Sequence, residues 1–227
     1  MSRSPLAPSP SGAPAKPLLR GWSHALALIA SIPLMGALLL RSHDDPPRLL
    51  SMLAYALSTI ELYAVSALYH LGSWPERRRI VVRALDHANI FVMIAGTYTP
   101  VCVNVLSGWL RPTVLVLVWA LAAVGVASSV FTLALPRWAS VALYLAMGWV
   151  ALLPAPSLVG SLPLPALALF VGGGLLYTAG AVIYARRRPD PFPQIFGFHE
   201  VFHLVVIAGN AAFLVAIWTW VIPFPRP

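Results

Sequence analysis

The chain has 227 residues, 59% of them hydrophobic and only 10% charged, against about a quarter charged in an ordinary soluble domain. A soluble fold of this length cannot hide so much apolar surface, so the bulk of it is expected to face lipid. The formal charge of +8 does not indicate nucleic acid as a partner, because the arginines lie between apolar runs and form no continuous basic face.

Residues 1–21 begin MSRSPLAPSPSGAPAKPLLR, rich in Pro, Ser, Gly and Ala without apolar periodicity, and are expected to form a disordered cytoplasmic tail. The apolar segment that follows is long, lacks an obvious small-residue cleavage site and precedes further spans, so it reads as a retained helix and not a signal peptide. From there, residues 22–225 are expected to form an all-α membrane domain. Runs of about 20 apolar residues give seven candidate spans, at 23–40, 49–71, 84–106, 111–135, 138–155, 163–185 and 196–224. The fifth is the weakest, being short and ending in LLPAPS. Pro33 and Pro100 can kink spans one and three, and Gly172–Gly174 with Gly180 can let backbones approach span six. No strand alternation suggests a barrel. The single cysteine, Cys102, lies inside a span, so no disulfide framework is possible.

Orientation follows from the basic residues. With the N-terminus in the cytoplasm, the inner segments hold 11 of them: Arg3, Lys16, Arg20, Arg77, Arg78, Arg79, Arg83, Arg137, Arg186, Arg187 and Arg188. The outer segments hold 4, namely Arg41, Arg48, Arg111 and Arg226. The positive-inside rule therefore predicts seven spans with the N-terminus inside and the C-terminus outside. The runs at 77–79 and 186–188 are explained as topology anchors that contact anionic lipid.

That topology gathers polar residues at one depth. His70 ends span two, Asp86 and His87 open span three, and His199 and His203 lie in the first turns of span seven, all at the cytoplasmic side. Ionisable groups within a membrane are costly, so several at one level point to a functional site. His199 and His203 are i and i+4 and can grip one metal ion from one helix face. A catalytic zinc site needs three protein ligands and an open position. The 24 residues after His203 contain no His, Cys, Asp or Glu, so the third ligand must come from upstream, and His70 shares the depth. Asp86 suits a place beside the metal, where a carboxylate can orient water and take its proton. It can alternatively cap span three or pair with Arg83. Ser66, four residues before His70, lies on the same helix face and can bond the water or a substrate oxygen, or simply pack. His24, His43 and His87 read as polar residues resting among headgroups. Glu61, nine residues from His70, falls on the opposite helix face and reads as a packing residue.

The stretch HEVFH at 199–203 also matches H-E-x-x-H, the zinc metalloprotease signature in which the Glu is the base. Intramembrane proteases of that kind complete the site with a carboxylate from a later helix, and nothing here follows that can serve. The pentapeptide therefore reads as an H-x-x-x-H grip, with Glu200 about 100° around the helix from His199 at an unconstrained position.

Three blocks carry a family resemblance. SALYHLGSWPERRRIVVRALDHANIFVMIAGTYTP resembles the S-x-x-x-H … D-H … G-T-Y-T-P block of the hemolysin III proteins, the bacterial branch of the progestin and adipoQ receptor family. FGFHEVFHLVVIAG resembles the H-x-x-x-H block of that family's last helix, and GGGLLYTAGAVIYARRRPDPFP the segment before it. The similarity covers essentially residues 20–220. It implies a seven-helix fold in the bacterial inner membrane with a zinc site at the cytoplasmic side. The ligands would be His70, His199 and His203, with Asp86 near the bound water and Ser66 as the second-helix serine. The wider superfamily contains ceramidases, which hydrolyse lipid amides. This suggests a zinc-dependent hydrolase with Asp86 and Ser66 in the catalytic machinery and a membrane lipid as substrate or ligand. The alternatives are a lipid sensor with structural zinc and a pore-forming hemolysin. A conducting path would need polar residues down several spans, whose outer halves are here nearly all apolar.

Overall fold

The computed structural model describes residues 16–131 and 136–227. Most of the expected N-terminal tail, residues 1–15, lies outside the described residues.

Among the described residues eight α-helices follow one another: α1 Trp22–Leu40, α2 Pro46–Leu71, α3 Glu76–Asn104, α4 Leu110–Val130, α5 Arg137–Gly148, α6 Ala155–Ser161, α7 Leu164–Arg186 and α8 Phe198–Ala216. A π-helical turn, Ile217–Val221, prolongs α8. Among the described residues there is no strand, only an isolated bridge between Phe192 and Phe196 in the α7–α8 connection. All-helical structure is what lipid demands, since each backbone polar group must be satisfied inside its own segment.

Among the described residues six helices are long and apolar enough to cross a membrane, and a bent pair, taken as one span, brings the number up to seven. The bent pair is the expected fifth span. It breaks into Trp138–Leu152 and Ala155–Ser161 with a 49° bend. The break falls at Pro154 and Pro156, which remove amide donors and close off the preceding turn. The third span starts two turns earlier than expected, at Glu76, immediately after Pro75, so Arg77–Arg79 are helical. α2 starts as its sequence dictates: the Asp45 carboxylate accepts the Arg48 amide at 3.2 Å, and Pro46 and Pro47 occupy the first turn.

α2 packs between α1 and α3, α4 lies on α3, and α7 pairs with α8. One core, around Met52, Tyr55, Leu62 and Ile217, joins α1, α2 and α8, and a second, around Phe91, Ala95, Val118 and Met147, joins α3, α4 and α5. Of the expected small-residue contacts on α7, Gly173 carries the close approach. A Cβ there would stand 2.8 Å from the Phe213 ring, whereas Gly172 and Gly174 have nothing within 4 Å. Pro33 and Pro100 sit within uninterrupted helices. Glu61 differs from expectation: it is exposed on α2 instead of packed, while its backbone carbonyl accepts from Asn89 Nδ2 at 3.3 Å.

Candidate metal centre

The end of α2, the second and third turns of α3 and the start of α8 meet at one end of the bundle, together with the first turn of α1. His70 and His203 are buried, at 6% and 1% exposure, and His199 is half-buried. Their ring centroids are 4.6 Å (His70–His199), 4.5 Å (His199–His203) and 5.2 Å (His70–His203) apart. One ring nitrogen from each lies within 4.8 Å of the other two, and His70 Nε2 is 3.0 Å from His199 Nε2. A tetrahedral ion with metal–nitrogen bonds of about 2.0–2.1 Å sets its nitrogens roughly 3.3 Å apart. The donor set therefore fits a His-ligated ion after small side-chain rotations, and imidazole suits zinc and several other first-row metals.

The surroundings hold the rings in place. Ser23 Oγ lies 3.4 Å from His203 Nδ1, so Nε2 is the nitrogen left for an ion, the usual arrangement of a ligand ring fixed through its other nitrogen. Asp86 Oδ2 lies 3.7 Å from His70 Nε2, and the Ser66 hydroxyl interacts with the Asp86 carboxyl group. The five residues singled out in the sequence thus stand together, from three helices.

Glu200 resolves the question raised by HEVFH. It is 1% exposed and far from unconstrained: its Oε1 pairs with the Arg20 guanidinium, and its Oε2 accepts the Gly197 amide at 2.7 Å. The carboxylate caps α8 and ties it to the segment before α1, an arrangement that spends both oxygens away from the imidazoles.

The contribution of α1 was invisible to motif reading. His24 does not rest among headgroups; it is 3% exposed and stacks on His203 at 3.7 Å with 7° between ring planes. Gly21, with φ of 90°, lies so close to α2 that a Cβ would stand 2.7 Å from His70 Cβ. Leu18 and Leu19 donate their amides to Gln194 and Ile195 at 3.0 Å, which fastens the pre-α1 segment to the α7–α8 connection. The available signal was topological, since the first turn of span one must lie at the level of the other histidines. His43, by contrast, is exposed at the far end, and His87 is half-buried at the cavity wall.

From this cluster a cavity of about 690 Å³ runs into the bundle. Asp86, Ser66, His199 and His203 stand at its polar end, and Ile90, Phe170, Val206 and Phe213 line its apolar length. The broken α5–α6 segment supplies Tyr144, Trp149 and Pro154 to one wall. A concave apolar space with a few convergent polar groups is the usual form of a small-molecule site.

A family model described as haemolysin-III related matches residues 13–214. The chain belongs to the haemolysin III family. It is 30% identical over 203 residues to Hemolysin-3 of Bacillus cereus, covering 88% of this chain and 90% of the relative. It is 29% identical over 205 residues to the Hemolysin-3 homolog of Bacillus subtilis (strain 168), covering 89% and 93%. It is 31% identical over 185 residues to the heptahelical transmembrane protein ADIPOR2 of Oryza sativa subsp. japonica, covering 73% and 79%, in keeping with the adipoQ receptor relationship. With six or more apolar helices and bacterial relatives of this kind, the haemolysin III-like chain is an integral protein of the bacterial plasma membrane.

Proposed function

We propose that this haemolysin III-like protein is a zinc-dependent hydrolase of a lipid amide or ester, with its metal site at the cytoplasmic side of the membrane. The observation that carries the reading is the convergence of three imidazoles and a carboxyl group, of which His199, His203 and Asp86 line the polar end of a long apolar cavity. The inner placement rests on the basic residues, since Arg77–Arg79, Arg83 and Arg186–Arg188 lie at the histidine end.

His70, His199 and His203 would hold the ion, which when bound supplies a Lewis acid for a carbonyl oxygen and acidifies water at neutral pH. The cavity takes the acyl chain, excludes bulk water and brings the scissile carbonyl to the polar end. Asp86 accepts the proton of the attacking water on the oxygen that faces His70. As the water oxygen bonds to the carbonyl carbon and the C–N or C–O bond breaks, Asp86 returns that proton to the departing amine or alcohol. Ser66 holds the carboxyl group in the orientation this requires.

The test joins elemental analysis of detergent-purified protein with turnover of a fluorescent ceramide in liposomes. Wild type should hold close to one zinc per chain and release the labelled acid, and His203→Ala should lose both. One zinc per chain without release of the labelled acid in wild type would favour a structural zinc in a lipid sensor instead, and full turnover in Asp86→Asn would remove Asp86 as the base.

A further inference from the structure

His24 lies outside the set of three imidazoles yet borders the same cavity. Its ring is 3% exposed, stacks flat on His203, and packs obliquely against Tyr63 with 5.2 Å between centroids. Neither Nδ1 nor Nε2 has a hydrogen-bond partner among the described residues. The neighbouring polar groups have other engagements: Ser23 Oγ faces His203 Nδ1, and the Tyr63 hydroxyl accepts from Asn210 Nδ2 at 2.8 Å. Buried polar atoms are nearly always paired, and one left unpaired costs its full desolvation. A phenyl ring would fill this position and stack equally well without that cost. Packing against His203 therefore does not account for an imidazole here.

We propose that His24 is a ligand-binding residue, its imidazole meeting a hydroxyl or amide in the head of a lipid whose chain fills the cavity. The inference rests on the lipid-hydrolase reading and narrows its substrate class. A neutral imidazole offers one donor and one acceptor, which matches a group that both gives and takes a hydrogen bond. Asp86 stands 3.7 Å from His70, and His24 is stacked 3.7 Å from His203. A lipid head at the cluster thereby has both a carboxyl group and an imidazole within the lining of the cavity it occupies. A lipid amide bearing a hydroxyl meets that demand; a simple hydrocarbon-chain ester lacks the donor.

The experiment uses the full chain in detergent, loaded with cobalt(II), and N-oleoylethanolamine as probe. Metal content and the cobalt absorption band report the centre, and tryptophan fluorescence, with Trp149 in the cavity wall, reports the probe whether or not metal is bound. His24→Phe should retain the metal and its absorption band while binding the probe about tenfold more weakly or worse, a loss of about 1.4 kcal/mol. His24→Gln, which restores a donor and an acceptor, should recover part of the affinity. Equal probe affinity in wild type and His24→Phe overturns the proposal, as does failure of wild type to bind the probe. Loss of metal in His24→Phe also overturns it, by assigning His24 to the positioning of His203. Failure of wild type to take up cobalt sinks the metal reading separately, while the fluorescence comparison still decides His24.

Discussion

Glu200 pairs with the guanidinium of Arg20, 180 residues earlier, and its second carboxylate oxygen accepts the Gly197 amide. The residue between two candidate metal ligands is thus a structural clasp between the segment before α1 and the last helix, and this separates its expected behaviour from that of a protease base.

Glu200→Ala should destabilise the protein while leaving its metal content intact. Removing one member of a buried ion pair costs about 3–5 kcal/mol; Arg20 is 18% exposed, which puts the expected loss at or below the lower end. Thermal unfolding in detergent and elemental analysis of the folded fraction measure the two effects. A folded variant with full metal and no turnover would return Glu200 to a catalytic role.

His70, His199 and His203 should behave as one set. Alanine at any of them should reduce bound zinc to a small fraction of wild type, because two imidazoles hold an ion far less firmly than three. Asp86→Asn, by contrast, should keep the zinc and slow lipid hydrolysis about 10²–10⁴-fold, the usual contribution of a positioned acid–base group. Metal retained in His70→Ala would remove His70 from the set.

Gly21→Val should loosen the metal centre without touching any ligand. The position has φ of 90°, where a branched side chain is strained, and its Cβ would meet His70 Cβ at 2.7 Å. Backbone strain of this kind costs about 1–3 kcal/mol, and relief requires α1 to move off α2. The expected result is weaker zinc affinity in a chelator competition, with the helix content by circular dichroism unchanged.

At the other end of the bundle the C-terminal segment is clamped by charge. Arg226 Nη2 lies 3.2 Å from Asp45 Oδ1, and Arg48 donates to the Phe224 carbonyl at 2.9 Å. Partial desolvation raises the Asp45 carboxyl, but the Arg48 amide and the guanidinium groups of Arg226 and Arg48 outweigh it and hold it below the usual carboxylate range. A depressed folded pKa means the stabilisation is present above the unfolded value and disappears as pH falls through the folded one. Protection of the Phe224 amide from hydrogen exchange, taken relative to its intrinsic rate at each pH, should therefore fall below about pH 4, and Asp45→Asn should abolish that dependence.

Much of this molecule follows from local composition. Apolar length sets the helices, because a segment in lipid has no alternative to satisfying its own backbone, and Pro154 in LLPAPS marks the span that breaks. His199 and His203 needed only their i,i+4 spacing, and His70, Ser66 and Asp86 followed once the spans were placed in order. Tertiary structure decided the rest. Whether Glu200 faced the imidazoles or Arg20 depended on where the chain before α1 returned, and no local pattern encodes that path. His24 looked like one more interfacial histidine until the packing of α1 on α8 stacked it against His203. Periodicity fixes which face a side chain occupies, but the partner that face meets is set by packing between segments distant in the chain, and the chemistry of a buried polar residue is decided by that partner.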